Sequence, residues 1–121
     1  MLDEIKQDFE SALVKHVLFK SKLRSFLHGT KNEESPIRDP EVCSLGQWIR
    51  GTALTRYAHL PEAHELDRQH QLVHRVANEL MDLHLAGHTE QALAGFPTIQ
   101  HISDQITVLL QTMQQKLRNG A

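Results

Sequence analysis

The chain has 121 residues, 40% of them hydrophobic, 23% charged and 5% aromatic, with a formal net charge of -2 and a pI near 6.5. That length suits one domain with its own core, so residues 1–121 are expected to form a single unit. The charge lacks the basic footprint of a nucleic-acid binder, and no apolar run is long enough to cross a bilayer.

Met1-Leu-Asp-Glu lacks the basic and apolar regions of a signal peptide, so a soluble, cytoplasmic protein is expected. The one cysteine, Cys43, cannot form an internal disulfide, and a reducing compartment keeps it as thiol, thiolate or metal ligand. The densest basic run, Lys15, Lys20, Lys22 and Arg24, reads as a solvated helix face.

From residue 2 to 28, Leu2, Ile5, Phe9, Ala12, Leu13, His16, Val17, Leu23, Phe26 and Leu27 recur at helical spacing, and Gly29 follows. This predicts a long amphipathic helix with His16 in its apolar stripe. Residues 30–39 are polar, contain proline and have no period, which predicts a loop. Asp39-Pro40-Glu41 combines a capping residue, a first-turn proline and a first-turn carboxylate, so a short helix is expected to start at Pro40 and end near Gly51. Cys43 would then lie in its first turn, where the helix dipole favours a thiolate. Val42, Leu45, Trp48 and Ile49 would form its apolar face, with Gly46 letting another backbone come close.

After a connector, Pro61 and Glu62 open a third helix whose stripe runs Ala63, Leu66, His70, Val73, His74, Ala77, Leu80, Met81, His84, and Gly87 stops it. The last helical stretch runs from Thr89 to Leu117 with Ile99, Ile102, Ile106, Leu109, Leu110, Met113 and Leu117 on one face, and Pro97 should kink or split it. The predicted fold is an all-α antiparallel four-helix bundle with one short helix carrying the cysteine.

His70 and His74 stand where leucines would be expected, one turn apart, a spacing that lets two imidazoles hold one ion. Read alone, the pair could equally be two polar core residues, and Cys43 a small buried hydrophobe. Helix arithmetic brings them together. At ~1.5 Å rise per residue, His16 lies roughly 18 Å below the end of the first helix, and the next loop is long enough to return that distance. The short helix then advances about 12 Å beyond Cys43, and the third helix recovers about 12 Å by His70. His16, Cys43, His70 and His74 can therefore share one level, three imidazoles and one thiolate, a closed donor set that suits Zn²⁺ better than oxygen-seeking Mg²⁺ or Ca²⁺.

A closed site leaves no position for a substrate, and the inward faces offer no bridging carboxylate for a di-iron centre at this level, so no catalytic role is expected. His28, near the end of the first helix, is placed to interact with its last carbonyls, while His59, His64, His88 and His101 read as solvent-facing, with His64 a candidate spare ligand or a donor behind the site, and His84 as a satisfied core histidine.

His16, Cys43-Ser-Leu-Gly-Gln-Trp48 and His70-Gln-Leu-Val-His74 resemble the chemoreceptor zinc-binding (CZB) domain of bacterial chemoreceptors and diguanylate cyclases, whose pattern is His, then Cys-x-Leu/Phe-Gly-x-Trp, then His-x-x-x-His. The likeness extends through Phe19-Lys20, Phe26-Leu27-His28-Gly29 and Asp39-Pro40 and covers roughly residues 10 to 117. It implies that His16, Cys43, His70 and His74 are zinc ligands in a cytoplasmic, commonly dimeric helical bundle. In such domains zinc represses an attached cyclase, or the cysteine responds to oxidants such as hypochlorous acid. The sequence carries no methyl-accepting region and no GGDEF domain, so either a separate partner, such as a chemoreceptor or cyclase, or a different use is expected. The wide apolar faces of the first and last helices also fit a homodimer.

Overall fold

The computed structural model describes residues 2–120, apart from the side chain of Leu2, so that first position of the predicted stripe lies outside the described side chains. Its elements are α1 (Leu2–Leu27), α2 (Ser35–Arg38), α3 (Ser44–Trp48), a π-helical turn (Ile49–Ala53), α4 (Leu54–Arg56), α5 (Pro61–Leu85), α6 (Thr89–Ala94) and α7 (Phe96–Arg118). The described residues contain no strand, and the fold is the helical bundle that the periodicity predicts.

The long helices bury the stripes read from the sequence: Phe9, Ala12, His16, Leu23, Phe26 and Leu27 on α1, Ala63 to Met81 on α5, and Ile99, Ile102, Ile106, Leu110 and Met113 on α7. Gly29 (φ 94°) and Gly87 (φ 89°) end α1 and α5 in left-handed conformations that glycine adopts without a Cβ penalty. At both ends the next residue donates back five positions, Thr30 N–H to Ser25 (2.9 Å) and His88 N–H to Leu83 (2.8 Å), which satisfies carbonyls the helices would otherwise leave open.

Pairs between helices give the directions. Phe19 and Phe26 of α1 meet His74 and His84 of α5, so these helices run the same way. His16 and Arg24 of α1 meet Ser103 and Phe96 of α7, which runs opposite. The fourth position is filled by the broken segment α2 to α4, which descends from Ile37 beside His74 to Tyr57 beside Asp8.

Four local expectations change. No helix starts at Pro40: Asp39 closes a turn on itself, its Oδ1 accepting the Glu41 N–H (2.9 Å) and its carbonyl those of Val42 and Cys43 (3.1 Å each). The helix begins one residue after Cys43, which is its N-cap, with φ -59° and ψ 132°. Gly51 does not end it either, since its φ is not left-handed and the chain runs on through the π-turn into α4. Within the predicted loop, Ser35–Arg38 form a helical turn whose Ile37 is fully buried. The last helical stretch is split, as expected near Pro97, with the break at Gly95 and Pro97 in the first turn of α7. Val17, placed in the α1 stripe by the sequence reading, instead faces out with Val14 and Leu18.

Candidate metal centre

Cys43 enters the bundle from a turn rather than a helix, and backbone contacts hold that turn. Its own N–H donates to the Asp39 carbonyl at 3.1 Å. Arg50, one helical turn past Gly46, reaches back and donates to the carbonyls of Pro40 (3.3 Å) and Glu41 (2.7 Å). Gly46 has no β-carbon to collide with the Pro40 carbonyl or with His70 Cε1. Below the turn, Trp48 stands edge-on to Phe9 (centroids 5.4 Å), and Phe9 also meets Tyr57 (5.5 Å), which anchors this arm to α1. The thiol is thereby buried, at 3% exposure.

His70 and His74 project from one face of α5 with their Nε2 atoms 3.1 Å apart and their rings nearly perpendicular at 74°. His74 Nδ1 donates to the Ile37 carbonyl at 2.6 Å. A carbonyl can only accept, so the proton is on Nδ1 and the Nε2 lone pair points inward. Phe19 covers the other side of that ring at 4.6 Å.

The Ile37 carbonyl is itself held by α2. Asn78, one turn after His74, donates through Nδ2 to the Arg38 and His74 carbonyls (2.9 Å each). Its Oδ1 accepts from Arg38 Nη1 (2.9 Å), while the same guanidinium pairs with Glu34 and Asp82. Sequence reasoning missed this clamp, because the decisive acceptors are backbone carbonyls and a four-residue helix has no period.

The structure brings Cys43, His70 and His74 together, with one ligand atom of each lying within 4.8 Å of the others, all buried. They are the one group of three or more such side chains among the described residues that closes in this way, and it contains no carboxylate. His16, the fourth expected ligand, is outside that closed group; it is buried at 1% exposure and near enough to His70 to act on it electrostatically. Its Nε2 is bonded to Ser103 Oγ at 2.5 Å, while its Nδ1 is buried without a partner. His64 is elsewhere, exposed, with Nε2 on the Ala58 carbonyl, and so is not a spare ligand here. His84 is half-buried and bonded to Thr89 at 2.9 Å, His59, His88 and His101 are exposed, as expected, and His28 is exposed as well.

Burial keeps the three rings neutral. It is the main cause holding His16 and His74 at about 4, reinforced in His16 by Lys20 and opposed there by Ser103 and Asp104, and opposed in His74 by the Ile37 bond and Asp39. His70 is pushed down to about 3, first by burial and then by His74, His16 and Arg50. A pocket that disfavours imidazolium presents lone pairs, which is what a cation needs.

The donor set fits zinc. Two nitrogens bound at about 2.0–2.1 Å in a tetrahedron lie about 3.3 Å apart, close to the His70–His74 separation. His16 Nδ1 is buried without a partner, an omission that costs about 1–3 kcal/mol and that a bound cation would remove.

No curated protein and no solved structure matches the chain closely enough to count as a relative. The sequence profile of the chemoreceptor zinc-binding domain, however, matches residues 16–81, a span that begins at His16 and takes in Cys43, His70 and His74. With more than half of its length matched and a buried Cys-His-His cluster inside that span, the chain belongs to the chemoreceptor zinc-binding domain family.

Proposed function

We propose that this domain is a zinc-binding regulatory sensor in which His16, Cys43, His70 and His74 hold one Zn²⁺ and Cys43 responds to zinc level or to oxidants such as hypochlorous acid. One observation carries the reading. The cysteine is the only member of the cluster that is not on a long helix, and its turn is held by hydrogen bonds to Asp39 and Arg50. Bound zinc supplies a positive centre that stabilises the thiolate and ties α1, the Cys43 turn and α5 together. Two-electron oxidation of the thiolate to sulfenate, with hypochlorous acid reduced to chloride, weakens one ligand and frees the turn that leads into Trp48. A signalling partner, a chemoreceptor or a diguanylate cyclase, then reads the displaced arm. The role is non-enzymatic and cytoplasmic.

The test uses the single tryptophan, buried at 8% exposure and edge-on to Phe9. Stoichiometric hypochlorite should release zinc to a chromophoric chelator and change Trp48 fluorescence together. Zinc content and fluorescence both unchanged would leave a purely structural zinc site.

A homodimer is part of the same reading. Val14, Val17 and Leu18 lie at i, i+3 and i+4 on the outer face of α1, each about half exposed or more. Light scattering should give twice the 13.8 kDa chain mass, and Val17→Glu should return the monomer.

A further inference from the structure

Four polar side chains are buried among the described residues: His16, His70, His74 and Ser103. His70 and His74 belong to the closed cluster with Cys43 and His16 is the proposed fourth ligand, while Ser103 is fully buried in the apolar stripe of α7, beyond residue 81 where the matched segment ends. Its hydroxyl meets His16 Nε2 at 2.5 Å.

A neutral imidazole carries one N–H and one lone pair, and a serine hydroxyl can serve either. The other nitrogen decides between them. His16 Nδ1 is buried with no partner. A proton there would be a donor with nothing to donate to, whereas a lone pair there is a ligand waiting for a cation. His74 shows the reverse commitment, because its Nδ1–H is taken by the Ile37 carbonyl and Nε2 is left free.

We propose that Ser103 is a positioning residue for the metal centre: its hydroxyl accepts the Nε2–H of His16 and so presents Nδ1 as that residue's ligand atom, opposite to the Nε2 presented by His74. The proposal rests on the reading of His16 as the fourth ligand. It makes α7 part of the site, so that all three long helices and the Cys43 turn meet there.

The test is made on the full chain loaded with zinc and labelled with ¹⁵N. Long-range ¹H–¹⁵N spectra should place the His16 proton on Nε2 and the His74 proton on Nδ1; a His16 proton on Nδ1 overturns the proposal. By chelator competition, Ser103→Ala should weaken zinc binding about ten- to a hundredfold while Ser103→Thr, which keeps the hydroxyl, restores most of it. Unchanged affinity in Ser103→Ala, with His16→Ala weakened, removes the role of Ser103 and leaves His16 a ligand. Affinity unchanged in His16→Ala removes both. Should Ser103→Ala fail to fold, the wild-type spectrum alone decides.

Discussion

The carbonyl oxygen of Pro40 occupies the space that a β-carbon on residue 46 would need, so the Cys43 turn can cross α3 only where Gly46 stands. The same β-carbon would lie 2.9 Å from His70 Cε1. Gly46→Ala therefore pushes on two members of the cluster at once, one through rigid backbone. We expect it to destabilise the fold by about 1–3 kcal/mol and to abolish stoichiometric zinc binding. Metal analysis with a urea titration checks this, and a Gly46→Ala protein with full zinc content would contradict the close approach.

Arg50 acts on the same turn from the other side. It is exposed, so losing its two hydrogen bonds should change global stability by no more than about 1 kcal/mol. The turn that carries Cys43 should nevertheless open more often. In the zinc-free protein, Arg50→Gln is expected to raise the rate of Cys43 alkylation several-fold, measured by mass spectrometry, with the thermal midpoint nearly unchanged. Equal alkylation rates would show that Asp39 alone holds the turn.

Asn78 offers a test of the clamp behind His74. Asn78→Ala removes the bonds to the Arg38 and His74 carbonyls and the acceptor for Arg38 Nη1, which frees α2 to move and with it the Ile37 carbonyl. Zinc affinity should fall about 10- to 100-fold, the usual effect of losing a group that orients a ligating histidine. Competition with a chelator of known affinity measures it, and wild-type affinity would mean that Ile37 is held by its own burial.

These variants separate what the sequence displayed from what it hid. The stripes of α1, α5 and α7 were legible because burial imposes a period on side chains, and His70 and His74 stood out as polar residues inside such a stripe. Cys43 was legible from its neighbours, Gly46 and Trp48. The start of α3 was misread because Asp39-Pro40-Glu41 has the composition of a helix start, yet here the Asp39 side chain caps a turn instead. The Ile37 carbonyl could not be read at all, since every residue has one, and Ser103 looks like any serine until α7 is laid against His16. Val17 fits the spacing but lies on the outer edge of the stripe, which spacing alone does not resolve.

Acid should unfold the zinc-free protein, and the sign follows from the three buried rings. His16 and His74 are held at about 4 and His70 at about 3 in the fold, against 6.5 for an ordinary histidine. A lowered histidine value means that the unfolded chain binds protons the folded chain refuses. The stabilisation is complete above pH 6.5 and is lost as pH falls towards 4. Each ring contributes a slope of roughly 1.4 kcal/mol per pH unit in that window, about 4 for all three. A small domain has about 5–15 kcal/mol in total, so unfolding should be reached near pH 5, before the folded rings themselves take up protons. Glu62 and Glu65 are shifted down from 4.5, so their losses begin only as pH falls through about 4.5, below the pH 5 at which unfolding is expected. Urea titrations of chelator-treated protein between pH 8 and pH 5 should show this slope, and His70→Leu should reduce it by about one third. A stability that stays flat from pH 6.5 to 5 would mean that the rings are not neutral and buried in the metal-free fold.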